Sequence, residues 1–455
     1  MNPPRVLTIA GSDSGGGAGI EADIKTFAAL GVHGMAAVTA ITAQNTKSVT
    51  GVFPVAARFV VSQVEAVCED IGIDAVKIGM LYDAEIINSI SSFLKLRKIG
   101  KIVVDPVMVS KSNATLLQMD AVEALKESLL PIATIVTPNA DEAKVLTDVK
   151  KIVNVEQARS AAKKIARFGP KIVVVKGGHL RDRDESVDTV YYAESGRFEY
   201  LRSPRLRTQN THGTGCVFSS AIAGGLAKGY NSSVALNLAK LFVTNAIKNS
   251  LSIGHGHGPV NPTGELVKSA QRLEVLSNLT TAVKIIESNG REIAKLIPEL
   301  RTNIGMAIEN ASSFEDIAAI PGRITAISQQ VVRAAAPPEF GASRHIANSI
   351  LAALNFNNSS RAAMNIKYDP KIIDVAERSG LVVASYDRSK EPKRIKREEG
   401  SSTFWGASSA IARSTQFPDL IYHKGDFGKE PMIVLLGRDA VSLAESAVKL
   451  GAMLH

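Results

Sequence analysis

Val6-Leu7-Thr8-Ile9-Ala10 is an apolar run of strand length, and Gly11-Ser12-Asp13-Ser14-Gly15-Gly16-Gly17-Ala18-Gly19 follows it, ahead of a helical pattern from Glu21 to Leu30. A buried strand, a glycine-dense loop and a helix open an α/β unit. The alternation continues down the chain. Strand-like runs recur at Met35 to Ile41, Ala75 to Ile78, Lys101 to Asp105, Thr134 to Thr137 and Ile172 to Val175. Helical segments lie between them, as at Ala56 to Ile71, Ala121 to Leu129 and Val155 to Phe168. This order predicts a parallel sheet with helices on both faces. Ligands of such sheets gather beyond the carboxyl ends of the strands, so the polar residues that follow each run carry the functional information.

A chain of 455 residues exceeds one ordinary core, and two domains are expected. The stretch Gly256-His257-Gly258-Pro259-Val260-Asn261-Pro262 reads as a boundary, with Asn261 and Pro262 suited to the start of a helix. Leu266, Leu273, Leu276, Val283 and Ile286 then recur at helical spacing. The expected division is a first domain over 1–262, a connecting helix over 263–285 and a smaller α/β domain over 286–455. The connecting segment also reads as the first helix of the second domain.

Apolar residues make up 45% and charged residues 21%, which suits a globular protein. No apolar run approaches the ~20 residues of a membrane helix, and Val6 to Ala10 is too short for the core of a signal peptide. Cys68 and Cys216 are far apart and belong to no metal-type pair. A reducing, cytoplasmic location is the expectation. Cys68 shares an apolar helical face with Val60, Val64 and Val67 and reads as core. The net charge of +9 suits an enzyme of anionic substrates. Nucleic-acid binding is not expected, because no helix-turn-helix, zinc pattern or aromatic-basic platform accompanies the charge.

Two loops carry the chemistry. The glycine-rich loop after the first strand lets backbone amides approach a ligand closely, but its spacing is not Gly-x-Gly-x-x-Gly, and the second strand ends in Gln44-Asn45 rather than an acid. Alone it reads equally as a tight turn or a substrate cradle. Thr211-His212-Gly213-Thr214-Gly215-Cys216 runs into the helix Val217 to Leu226. Free amide N–H groups at such a helix start hold an anion, here the charge on a phosphoryl group in transfer. A cysteine in the first turn is expected to have a lowered pKa and to serve as a base. The plain alternative is a capped helix with a buried cysteine.

The stretch Thr8 to Gly19, Ala43-Gln44-Asn45-Thr46, Lys77-Ile78-Gly79-Met80, Asp105-Pro106-Val107-Met108, Thr137-Pro138-Asn139-Ala140-Asp141-Glu142, Lys176-Gly177-Gly178-His179 and the Thr211 to Cys216 loop together resemble the hydroxymethylpyrimidine and phosphomethylpyrimidine kinase family. The resemblance implies a ribokinase-like fold that phosphorylates an aminopyrimidine alcohol twice at the expense of ATP with Mg2+. It implies Gln44 as the reader of the pyrimidine edge, whose amide supplies a donor and an acceptor. Gly11 and Asp23 are implied as further substrate contacts, with Met80 and Val107 as apolar walls. Asp23 also reads simply as a first-turn helix acid. Asn139 and Glu142, helped by Asp105, are implied to order magnesium and its waters, which suits that hard cation. Lys176 and Thr214 are implied to meet the nucleotide phosphates, a surface lysine being the plain alternative for the first. Gly213, Gly215 and Cys216 are implied as anion hole and base. His179 and His212 read as hydrogen-bonding loop residues.

The carboxyl-terminal part has three polar stretches: Pro321-Gly322-Arg323, Phe340-Gly341-Ala342-Ser343-Arg344-His345, and the cation-dense run Asp387 to Arg397. A fourth, Pro418 to Pro431, mixes carboxylates and cations around a glycine turn. By composition such runs are solvated faces. Together they resemble the ThiN-type thiamine-phosphate synthase domain. That implies condensation of the pyrimidine diphosphate with thiazole phosphate, with cations holding the departing pyrophosphate. Arg323 and His345 are the implied active-site residues, Arg344, Lys393 and Lys429 the phosphate contacts and Asp426 a magnesium ligand. The partners expected are the aminopyrimidine, ATP and thiazole phosphate, in a homo-oligomer. A kinase joined to a silent, thiamine-phosphate-sensing module is the alternative. A kinase of pyridoxal or hydroxyethylthiazole is another, against which Gln44 and the Gly11 to Gly19 loop speak.

Overall fold

A computed structural model describes residues 2–108, 119–179, 184–392, 395, 401–426 and 430–454. It divides into two units, Met1–Leu266 and Val267–His455.

The first unit opens with β1 (Arg5–Ala10), α1 (Gly19–Ala29), β2 (His33–Val38), β3 (Ala40–Gln44) and β4 (Val49–Pro54). It continues through α2 (Ala57–Asp70), β5 (Ala75–Ile78), α3 (Ala84–Leu96), β6 (Ile102–Val104), α4 (Met119–Ala124) and β7 (Ile135–Val136). There follow α5 (Ala140–Thr147), α6 (Val155–Ala166), β8 (Ile172–Val175), β9 (Glu185–Tyr192), β10 (Phe198–Pro204), α7 (Thr214–Ala227) and α8 (Ser232–Lys248). One sheet has the order β10-β9-β8-β7-β6-β5-β1-β2. It is parallel from β8 to β2 and closed by the antiparallel pair β9 and β10.

Both faces of the sheet are buried. Leu7, Ile9, Val76, Ile78, Val104 and Val173 pack on one side with Val60, Ile90 and Ala162 of α2, α3 and α6. Val6, Ala75, Val103, Ile135 and Val174 point the other way, against Phe27, Phe218, Ile222 and Leu236 of α1, α7 and α8. Alternate residues of each strand thus feed opposite cores, which is why these strands read as continuous apolar runs. Each such Val, Leu, Ile or Phe side chain contributes roughly 1.5–3 kcal/mol by leaving water.

The run Met35 to Ile41, expected as one strand, is two. β2 stays in the large sheet, whereas β3 pairs with β4 in a separate two-stranded ribbon. The break falls at Thr39, whose N–H donates to the Ala10 carbonyl and whose hydroxyl donates to the Met80 carbonyl. Those bonds turn the chain over the sheet edge and carry Thr42 and Gln44 above the carboxyl ends of β1 and β5.

In the second unit come α9 (Gly264–Ser288), α10 (Gly290–Ala294), β11 (Ile304–Ala307), β12 (Ile317–Ala319) and the hairpin β13 (Ile324–Ala326) and β14 (Val332–Ala334). They are followed by β15 (Glu339–Phe340), α11 (Arg344–Leu354), β16 (Ala362–Lys367), α12 (Pro370–Arg378) and β17 (Val383–Ser385). The helix Ser401–Arg413, β18 (Leu420–His423), β19 (Met432–Gly437) and the helix Ala440–Ala452 complete it. The sheet order is β15-β12-β11-β16-β19-β18-β17, with only β17 and β18 parallel. The helix expected as a connector is part of this core. Val275, Leu279, Ala282 and Ile286 of α9 are fully buried in it, while Leu266 and Leu273 face solvent.

Candidate active site

The strands of the first unit end in a row of residues that face one space. Gly11 follows β1, Met80 follows β5, Asp105 follows β6, Asn139 follows β7 and Lys176 follows β8. Together with Gln44 and the start of α7 they line one cavity of about 410 Å³. Gly11, Gln44, Met80, Val107 and Asp105 lie in its wall, as do Asn139, Glu142 and Lys176 and the run Gly213, Thr214, Gly215 and Cys216.

At one end is the amino terminus of α7. Gly213, its N-cap, has φ of 81°, a left-handed conformation, and a Cβ there would overlap the Gly17 carbonyl oxygen. Only glycine fits. A Cβ on Gly215 would lie 3.2 Å from both the Asp105 carboxylate and the Lys176 ammonium, so the helix start sits directly over that ion pair. Lys176 Nζ is 2.7 Å from Asp105 and 3.9 Å from Glu142. Burial opposes the Lys176 charge, but Asp105 and Glu142 outweigh it and hold its pKa above the usual lysine value. Burial and the Asp105 charge push the Glu142 carboxyl up to about 7, against the pull of Lys176.

Asn139 and Glu142 form a capping box on α5: the Asn139 side chain accepts from the N–H groups of Asp141 and Glu142, and Glu142 accepts from the Asn139 N–H at 2.6 Å. Helix capping therefore fixes the two residues at the cavity wall. Among the described residues no group of three or more His, Cys, Asp or Glu stands as a ready-made metal cage. Two carboxylates and an amide beside open space are a donor set for an oxygen-seeking cation that keeps most of its water.

Two sequence-based expectations change here. The Cys216 thiol is not lowered: burial, Asp23 and Asp105 push it up to about 11, although Lys77 and the Gly19 N–H pull the other way. Asp23 does not reach the cavity. Its carboxylate is fully buried and accepts from Thr8 and Ser220 hydroxyls at 2.6 Å each and from Lys77 at 2.8 Å. It binds the sheet to α1 and α7 from beneath the site.

Sequence reasoning passed over Asp13, Lys77 and the partnership of His212. Asp13 accepts from Gly15, Gly17 and Ala18 N–H groups and lies 2.8 Å from His212 Nε2. Burial works to raise its pKa, but the His212 contact and those N–H groups prevail and hold it below the usual carboxylate range. Lys77 was detectable as a lone cation inside an apolar strand, and Asp13 as the one acid in a glycine loop.

Residues 13–261, more than half the chain, match the phosphomethylpyrimidine kinase family model. The chain belongs to the phosphomethylpyrimidine kinase family. This kinase unit is 48% identical over 261 residues to the hydroxymethylpyrimidine/phosphomethylpyrimidine kinase of Haemophilus influenzae, covering 57% of this chain and 97% of that protein. It is also 48% identical to the thiamine biosynthesis bifunctional protein ThiED of Geobacter sulfurreducens, over 56% of this chain and 51% of that protein, about half its length. Among solved structures, an ADP complex of Bacillus subtilis pyridoxal kinase is similar at 39% identity and a TM-score of 0.55, covering 58% of this chain and 99% of that one. A Staphylococcus aureus pyridoxal kinase in complex with AMP-PCP matches at 37% identity and a TM-score of 0.54, over 58% and 95%. The kinase unit thus has the ribokinase-like fold. Residues 278–449 match the thiamine-phosphate synthase ThiN model.

In the ThiN-matching unit, Arg323 is exposed, with φ of 72°, and its guanidinium donates to the Leu300 carbonyl. His345 Nδ1 lies 3.0 Å from the Thr403 hydroxyl, while its buried Nε2 has no partner among the described residues. Burial, with Arg323 and Arg388, pushes His345 down to about 4. His423 is likewise pushed down to about 4 by burial, Arg388 and His345. Arg388 is 8% exposed, 3.7 Å from Glu391, and the Tyr386 ring lies 5.1 Å from that of His423. Arg388, Tyr386 and His423 were not singled out from sequence, because the charge run reads as a surface. Arg344, one residue before His345 on α11, points elsewhere, over the Phe314 ring at 5.8 Å; consecutive helical residues do not share a face. Asp426 is exposed, and its charge is felt by Asp387. Lys393 and Lys429 lie outside the described residues.

Proposed function

We propose that the first unit transfers a phosphoryl group from MgATP to the hydroxymethyl group of an aminopyrimidine, and then a second to the monophosphate formed. The observation that carries this reading is the α7 amino terminus, with Gly213 obligatory at its N-cap, seated over the Asp105–Lys176 pair in the cavity wall. The N–H groups at the start of α7, over residues 213–216, would hold the charge on the phosphoryl oxygens, and Lys176 and Thr214 would meet the nucleotide phosphates. Asp105, Asn139 and Glu142 would hold a magnesium ion, which supplies neutralising charge to phosphate oxygens when bound. Gln44 would read the pyrimidine edge between the Met80 and Val107 walls. Cys216 would take the alcohol proton in the first transfer. The second needs no such base, because a phosphate monoester with a second pKa near ~6 is already anionic.

For the second unit the reading is condensation of the resulting diphosphate with thiazole phosphate. Support comes from the match to the ThiN model and from the orphaned His345 Nε2 beside the charges of Arg323 and Arg388.

Full-length protein incubated with hydroxymethylpyrimidine, MgATP and thiazole phosphate should yield thiamine phosphate by mass spectrometry. Loss of that product in Arg323→Ala and His345→Ala, with the diphosphate still accumulating, would place the second activity. Diphosphate alone from the unaltered protein would leave a kinase fused to a sensing module. Phosphorylation of pyridoxal in preference to the pyrimidine would overturn the reading of the first unit.

A further inference from the structure

The Gln44 carboxamide lies in the cavity wall, placed with Nε2 3.2 Å from His212 Nε2 and Oε1 3.5 Å from the Thr42 hydroxyl, and the chemistry of those two neighbours calls for the amide turned over. A carboxamide has an accepting end and a donating end, and its neighbours decide which end goes where. Here both neighbours decide, independently.

His212 Nε2 is 2.8 Å from Asp13 Oδ2, a carboxylate whose remaining capacity is filled by the N–H groups of Gly15, Gly17 and Ala18. A carboxylate only accepts, so Nε2 must carry a proton, whether the imidazole is neutral or charged. That single N–H is directed at Asp13 and shared, at 3.2 Å, with Gln44, and it leaves nothing for an amide NH2 to donate to. The end of Gln44 that faces His212 must therefore be its oxygen. At the other side, the Thr42 hydroxyl donates its single proton to the Ser12 carbonyl at 2.9 Å. Toward Gln44 it can only accept, so the end facing Thr42 must be the NH2. The two constraints give the same orientation. The backbone around Gln44 is pinned as well, its N–H and C=O both bonded to the Ser14 hydroxyl at 2.8 Å.

We infer that Asp13 and His212 are positioning residues that lock the Gln44 carboxamide, oxygen toward His212 and NH2 toward Thr42, and so set which substrates the kinase accepts. The locked amide has one lone pair and one N–H left for a ligand. It matches a ring edge that presents a donor on the His212 side and an acceptor on the Thr42 side. A 4-aminopyrimidine has that edge, an exocyclic amine beside a ring nitrogen. The 4-oxo analogue presents the reverse, an N–H beside a carbonyl, and would need the amide turned over against both neighbours. The inference rests on the aminopyrimidine kinase reading and extends it to how the pyrimidine is told from its deaminated form.

The test compares kcat/KM for 4-amino- and 4-oxo-5-hydroxymethyl-2-methylpyrimidine in the full-length protein and in His212→Leu and Asp13→Asn. The unaltered protein should prefer the amino compound strongly. Each variant should lower the amino-to-oxo ratio by about tenfold or more, the size of one hydrogen bond lost or gained at a buried site. A merely structural role would depress both substrates together and leave the ratio unchanged, which would overturn the inference. If either variant fails to fold, the tautomer decides: 15N NMR of the unaltered protein should show His212 protonated at Nε2, and a neutral ring protonated only at Nδ1 would overturn it. Failure of the unaltered protein to phosphorylate the amino compound would instead sink the kinase reading itself.

Discussion

Lys77 of β5 and Asp23 of α1 form a 2.8 Å ion pair in which neither side chain reaches solvent. Asp23 is completed by the hydroxyls of Thr8 and Ser220, so strands β1 and β5 and helices α1 and α7 meet at one carboxylate. Breaking such a pair strands the remaining charge in the interior, at a cost of about 3–5 kcal/mol. Lys77→Met should therefore lower the stability of the kinase unit by that amount in urea unfolding. Asp23→Asn should do the same, and the two together should cost much less than their sum. Independent, additive losses would show that the pair is not the unit of stability.

At Gly213 the argument is steric. Alanine would place a Cβ on the Gly17 carbonyl oxygen in a left-handed conformation that costs a side chain roughly 1–2 kcal/mol before the clash is counted. Gly213→Ala should displace the start of α7 and lower kcat for phosphoryl transfer by about 10²-fold or more, the usual effect of removing one anion-hole donor. Steady-state kinetics would check this, and an unchanged kcat would dissociate the helix start from the chemistry.

Cys216 should separate the two transfers. Cys216→Ala is expected to slow phosphorylation of the alcohol by about 10²-fold and that of the monophosphate by less than about threefold. The thiol lies near 11, above its ordinary 9.0, so its thiolate fraction grows tenfold for each pH unit below that value. The first transfer should accordingly accelerate from pH 7 to 9 while the second stays nearly flat. Single-turnover assays started from each substrate would show it. Equal losses in both steps would remove Cys216 from the role of base.

His345 and His423 make the second unit sensitive to acid. Both are pushed from an ordinary 6.5 down to about 4, His345 by burial first and then by Arg323 and Arg388, His423 by burial first and then by Arg388 and His345. A depressed histidine contributes stability that is complete above pH 6.5 and is lost as the pH falls through about 4. Each stands for roughly 3 kcal/mol at 1.36 kcal/mol per unit. The unfolding transition of the second unit should weaken steadily between those limits. His345→Gln and His423→Gln should each flatten the slope, and an unaltered slope in both would show that other groups set it.

The sequence alone makes the alternation of buried strands and helices in the first unit legible, because a run such as Ile172 to Val175 is apolar on both faces, though it hides the break at Thr39. It also determined which loops carry the chemistry, since Gly213 and Gly215 at a helix start have a local reason to be there. What these residues face depends on segments brought together by packing. The bend at Thr39 depends on carbonyls of Ala10 and Met80, and the burial of Asp23 depends on Ser220, 197 residues away. The raised thiol of Cys216 reflects its burial first, and then Asp23 and Asp105 from distant segments, against the pull of Lys77. In the second unit Arg388 reads as one cation in a solvated run, yet it is buried beside His345 and His423. Hydrophobic periodicity is a local signal and survives in the sequence. Partners of buried polar groups come from distant segments, and only the packed chain brings them together.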